Sequence, residues 1–375
     1  MKKRDINVDF IRVMACFIVI CVHIDAMSMS GVDRTKVLWT VLFGDGVAFF
    51  FMLMGFFMFN NDSFLKLLEK TTLHILLPAF IVMFLSRMFY YWIVGQSGFF
   101  HCFTFEGFDW KDMVACLLNW TTGGYNCQHL WYIFTYFQVI LLFPILKLLC
   151  PGIKHPEDSK KTVKIRWYLM LMTLFGLLIN DVQAYFQLPM TVMSYIPIAV
   201  PAVYSVTGYT IYENKEKIQH NRWIPIAFGA LAVVMEIIRY LLQIKLYEKD
   251  VSANYYLFWN IGLAYVVTAS VIVVIMAIPF RDGRTGKWIS YLGSLTFAIY
   301  LLHYNVIAFL DSRGLTLWVS RLMGCEPEEV PMCTFKQELI YIGVKFLAVF
   351  GITLVLSVLI DMIKRGLRKW KRSQF

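Results

Sequence analysis

The chain has 375 residues, of which 59% are hydrophobic and 16% charged, with a formal net charge of +10. Soluble domains carry about 25% charged residues, so this chain lacks the polar surface that a soluble core of its size would need, and it reads as a polytopic membrane protein. Its basic excess sits in short loops between apolar runs rather than on one solvated face, which argues against a nucleic-acid partner and makes it first a topological signal.

The N-terminal Lys2-Lys3-Arg4 followed by an apolar run imitates a signal peptide. Asp9 and Arg12 interrupt that run and no clear small-x-small cleavage site follows, so the segment is read as an uncleaved first helix. A spanning helix needs about 20 mainly apolar residues. Ten segments qualify in chain order: 8–28, 39–59, 73–95, 129–150, 166–185, 193–212, 223–244, 256–279, 289–311 and 338–362. No repeat, low-complexity stretch or soluble appendage is visible, so residues 1–375 are expected to form one all-α membrane domain. With the N-terminus inside, the inside segments hold twenty-two Lys and Arg and the outside loops eight, as the positive-inside rule requires. An even helix count then puts both termini in the cytoplasm. The remaining five basic residues, Arg12, Arg87, Lys147, Arg239 and Lys345, fall inside predicted helices.

Polar groups inside the spans carry the functional signal. Arg12 and His23 are eleven residues apart, three helical turns plus about 20°, so they share a face about 16 Å apart along the axis. Asp9 lies three residues before Arg12 on the same face and can pair with it. Such residues usually face a bundle interior or a wet cavity, so this stripe is expected to line an internal path. The alternatives are an Arg12 that snorkels to the interface and a His23 that makes a structural interhelical hydrogen bond. His74, His129 and His303 lie in or at the edge of other predicted spans, as structural residues or as the lining of a cavity able to exchange protons near neutral pH. No HxxxH, CxxC or Cys/His spacing points to a metal.

Arg12, Lys66, Lys70, His74, Arg281, Arg284 and Lys287 all fall at the inner face, either through the topology rule alone or as a cradle for an anionic cytosolic ligand such as a nucleotide phosphate. Glu236 and Arg239 are spaced as a neutralised structural pair, and Cys325 and Cys333 fall in one outside loop where they could form a disulfide.

Four stretches together resemble the acyltransferase-3 family of integral membrane acyltransferases. The first helix carries a D-x-x-R…H pattern at Asp9, Arg12 and His23. "GVAFFFMLMGFFMF" (46–59), "HLWYIFTYFQVILLFPIL" (129–146) and "LGSLTFAIYLLH" (292–303) resemble later family segments in the same order. Two departures stand out. Thr71 and His74, in "EKTTLHILLP", occupy the positions of the family's frequent Arg-x-x-Arg pair, with Lys70 beside them, and Met54 stands where a serine usually precedes Gly55. The hydrolase-like extracellular domain that some members append is not present in the sequence.

The resemblance implies transfer of an acyl group, commonly acetyl from acetyl-CoA, to a hydroxyl of an extracytoplasmic acceptor such as a surface glycan or lipid-linked sugar, at the cell membrane among lipids. It places the CoA phosphates among Arg12, Lys70, His74 and the Arg281, Arg284 and Lys287 loop. It makes His23 the general base or a transient acyl carrier. His129, Trp131, Tyr300 and His303 would line the acceptor side. A second reading is a proton-coupled carrier or flippase for a small polar solute or lipid-linked sugar, although no internal repeat supports it. A third is a structural partner in a polysaccharide export complex.

Overall fold

A computed structural model describes residues 4–26, 34–104, 108–119, 121–151, 160–188, 200–249, 256, 260–281, 283–324 and 334–373. Among the described residues every regular element is helical. A helix stands at each of the ten expected positions. They are α1 (Ile6–Ile24), α2 (Val37–Met58), α3 (Phe64–Met88), α4 (Gln128–Leu141 with Phe143–Leu149), α5 (Lys160–Tyr185), α6 (Val200–Glu213), α7 (Trp223–Glu248), α8 (Gly262–Ala277), α9 (Arg284–Ser312) and α10 (Leu339–Leu367). Seven are long and apolar enough to cross a membrane, and α4 makes an eighth if its two halves are one span. α8 is a shorter apolar helix, and the described part of α6 has 14 residues. Cys325 and Cys333 lie outside the described residues; Cys16, Cys21, Cys102, Cys116, Cys127 and Cys150 are buried free thiols.

Local chemistry shapes the helices that matter for the site. Asp5 caps α1, its carboxylate accepting from the backbone N–H groups of Asn7 and Val8. α1 ends in a π-turn over Val22–Ala26 that contains His23, and α3 widens into a second π-turn over Thr72–Leu76 that contains His74. Proline accounts for the second of these. Pro78 has no N–H for the carbonyl of His74, four residues back, so the Leu77 N–H reaches the Thr72 carbonyl instead. α4 bends by 65° just before Pro144 for the same reason. The Lys147 ammonium, on its second half, donates to the carbonyls of Phe59 (2.6 Å) and Asn61 (2.9 Å), groups that the end of α2 leaves without helical partners.

α1, α2, α6, α8 and α9 are the most buried helices, while α7 and α10 lie at the periphery. α2 and α6 cross at backbone contact through Gly55 and Gly208. A Cβ on Gly55 would lie 1.8 Å from the Ser205 carbonyl oxygen, and one on Gly208 would lie 2.0 Å from that of Met52. Small residues at such crossings let helices pack without a hydrophobic driving force between them. α1 and α9 run parallel: Asp9 meets Gly293, Cys16 meets the Thr296 carbonyl, and His23 meets His303.

All five basic residues within predicted spans are paired with acids. Arg12 meets Asp9 (3.4 Å), Arg87 meets Asp112 (2.8 Å), Lys147 meets Asp62 (3.9 Å) and Lys345 meets Asp311 (3.1 Å). Arg239 pairs with Glu236 (2.8 Å), as its spacing suggested, and also takes Asp45 of α2 in a fork (2.7 and 3.1 Å). Its side chain is wholly buried, whereas that of Glu236 reaches the surface. Removing one partner of a buried pair costs about 3–5 kcal/mol, because the other charge is left without compensation. Arg239→Ala should therefore lower the thermal midpoint of the detergent-solubilised protein far more than Glu236→Gln does. Equal losses in the two melts would contradict this account.

Candidate active site

Asp9 is buried at the basic end of α1, beneath Gly293 of α9. A Cβ at Gly293 would lie 2.9 Å from that of Asp9, so glycine makes room for the carboxylate. Its main partner is Arg4, which grips both oxygens (2.9 and 2.6 Å), with Arg12 as the weaker contact. The Arg12 guanidinium also lies 4.1 Å from the centre of the Phe57 ring.

Arg12 stands where two cavities meet. The outer one, about 530 Å3, opens at the basic end and is lined by Arg4, Asn60, Asn61, Lys70, Thr71 and His74. The inner one, about 450 Å3, is mostly apolar and aromatic, with Phe50, Leu53, Tyr132, Phe297 and Tyr300 in its wall. Arg4, Arg12, Phe57, Ile75 and Tyr136 line both, so they form one path. Arg12 thus lines both cavities, with 28% of its side chain exposed.

Tyr300 links the inner cavity to a cluster of histidines, its hydroxyl donating to the backbone carbonyl of His129. The rings of His23 and His303 are 5.3 Å apart and those of His129 and His303 are 4.9 Å apart. Tyr304 stacks on His129 at 5.2 Å and meets His23 edge-on at 5.2 Å. His303 is held by its Nδ1 against the Tyr300 carbonyl (2.7 Å), while its Nε2 is buried without a hydrogen bond. His129 is also buried, and among the described residues neither of its ring nitrogens makes a hydrogen bond. An unsatisfied buried polar group costs about 1–3 kcal/mol, and such groups mark places where a substrate or water completes the set. Among the described residues no group of three or more His, Cys, Asp or Glu is placed to hold a metal ion.

The other sequence candidates fall in different places. Lys70 and His74 are exposed at the mouth of the outer cavity, and Arg281 lines a recess beside it. Arg284 and Lys287 are exposed on the first turn of α9 and line none of these cavities. Trp131 is 37% exposed and packs on Phe51 rather than on the histidines. Sequence reasoning missed Arg4, hidden in a basic run that topology explains by itself, and the cavity-lining Tyr132 and Tyr136 and the histidine-stacking Tyr304, which read as ordinary membrane-helix composition.

A family profile described as "Acyltransferase domain" matches residues 5–362. The chain belongs to this acyltransferase-3 family, and is a membrane acyltransferase of that class. No curated protein and no solved structure matches it.

Because both His129 nitrogens are unsatisfied, His129→Phe should leave the thermal midpoint unchanged or raise it while abolishing acyl transfer. Tyr300→Phe should lower the midpoint, since it strips the donor from a buried carbonyl. A destabilised His129→Phe protein would show that the ring nitrogens are structural.

Proposed function

We infer that the protein moves an acyl group, acetyl in the simplest case, from cytosolic acyl-CoA to a hydroxyl of an extracytoplasmic glycan or lipid-linked sugar, modifying the cell envelope. The observation that carries this reading is the two-part path: a polar mouth with Arg4, Lys70 and His74, then an aromatic chamber ending at Tyr300 beneath the histidines. That order suits a donor with an anionic head and a long neutral arm. Lys70 and His74 would hold the phosphates, and Phe50, Phe57, Tyr132 and Phe297 would enclose the arm and keep water from it. Bound acyl-CoA supplies the activated acyl group.

The chain's own contribution lies in charge and proton handling. Asp9, held by Arg4, keeps Arg12 oriented where the two cavities meet. His23 would take the proton of the acceptor hydroxyl as general base and return it to the leaving thiolate. His129 and His303, with ring nitrogens free to receive a hydroxyl, would position the acceptor from the opposite end of the bundle.

Membranes containing the protein should transfer label from acetyl-labelled acetyl-CoA into the lipid or glycan fraction. His23→Ala at equal expression should reduce the rate by about 10²–10⁴-fold, the usual worth of a positioned base. Equal labelling by both proteins would remove His23 from the chemistry, and an absence of protein-dependent label would favour the carrier reading.

A further inference from the structure

A third cavity of about 670 Å3 opens at the basic end, next to the outer chamber, and shares Arg4, Asp5 and Tyr212 with it. Its walls are the start of α1, the short helix Lys215–His220 that follows α6, and the turn between α8 and α9. This recess is rigidly built. Asn7 donates from its amide to the carbonyls of Ile275 (2.6 Å) and Ile278 (2.9 Å), and Gln219 donates to that of Met276 (3.1 Å). At Gly286 a Cβ would lie 2.8 Å from both Ile6 and the Arg281 carbonyl, so the glycine lets α9 close against α1 and fixes the turn that presents Arg281.

The charges of the recess are unequal. Lys215 is neutralised by Asp5 (2.6 Å) and also donates to the side-chain oxygen of Asn7 (3.0 Å). Arg4 is committed to Asp9. Arg281 makes no hydrogen bond or ion pair with any described side chain. Beside it, Pro279, Phe280 and Tyr212 provide flat apolar surface.

We propose that this recess is the adenosine subsite of the acyl-CoA donor, with Arg281 recognising its 3′-phosphate. The proposal rests on the acyl-CoA reading above. Its basis is an order: aromatic chamber, then the chamber of Arg4, Lys70 and His74, then the recess of Arg281, Phe280 and Tyr212. Acyl-CoA presents matching chemistry in the same order: acyl-pantetheine arm, diphosphate, then a planar base with a separate phosphate on its ribose. A free guanidinium suits a terminal phosphate, which it grips through two parallel hydrogen bonds, and the aromatic wall suits the base.

The test is calorimetric titration of the detergent-solubilised full-length protein with CoA and with 3′-dephospho-CoA, which needs no acceptor. The wild type should bind CoA about tenfold more tightly, the worth of one charge-assisted contact. Arg281→Ala should bind both at the affinity of the dephospho compound, and Lys70→Ala should weaken both by the same factor and keep the ratio. A wild type that does not discriminate, or an Arg281→Ala protein that still does, overturns the assignment of the recess while leaving the acyl-CoA reading intact. Failure of the wild type to bind either compound overturns that reading, and the subsite with it.

Discussion

The constraint on which the rest depends is that a basic side chain within a span of this bundle must meet a carboxylate. Each of the five basic residues in predicted spans meets a carboxylate, near in sequence for Arg12 and Asp9, and far along the chain for Arg239 on α7 and Asp45 on α2. These pairs fix which faces of neighbouring helices meet. They also concentrate the exceptions: Arg281, Lys70 and His74, none paired with a described side chain, line the cavities at the basic end.

Asp9 is the pivot of the candidate site. Its carboxylate is held by Arg4, orients Arg12, and is housed beneath Gly293, so α1, the N-terminal residues and α9 converge on one group. From there the parallel seam of α1 and α9 carries one stripe upward. On α9 it consists of Gly293, Thr296, Tyr300 and His303, spaced three, four and three residues apart, which is one helical face. On α1 it is Asp9, Arg12 and His23, the last turned toward α9 by a π-turn. Such widened turns often occur at functional sites, and the two among the described residues contain His23 and His74.

Much of this was legible in sequence. The eleven-residue spacing from Arg12 to His23 forces one face on any α-helix, whatever packs against it. The pairing of Glu236 with Arg239 follows from i,i+3 geometry in the same way. Asp45 as the second partner of Arg239 was not legible, because no local rule links residues on two helices so far apart. Trp131 looked equivalent to its neighbour His129, and only the turn that begins α4 separates them, burying the histidine and leaving the indole partly exposed. Arg284 and Lys287 were grouped with Arg281 by proximity in sequence, yet the α8–α9 turn gives only Arg281 to a cavity.

Composition, spacing and motif order alone determined that this is an all-helical membrane protein of the acyltransferase-3 class with an Asp-Arg-His stripe on its first helix. These properties are local: the number of apolar residues per span and the period of the helix. Tertiary structure decided that three histidines from α1, α4 and α9 meet, that among the described residues neither His129 ring nitrogen makes a hydrogen bond, and that three cavities share Arg4. Those outcomes depend on which helices cross and how closely. Backbone contacts such as Gly55 on Ser205 and buried ion pairs between distant residues settle that, and neither leaves a periodic trace in the chain.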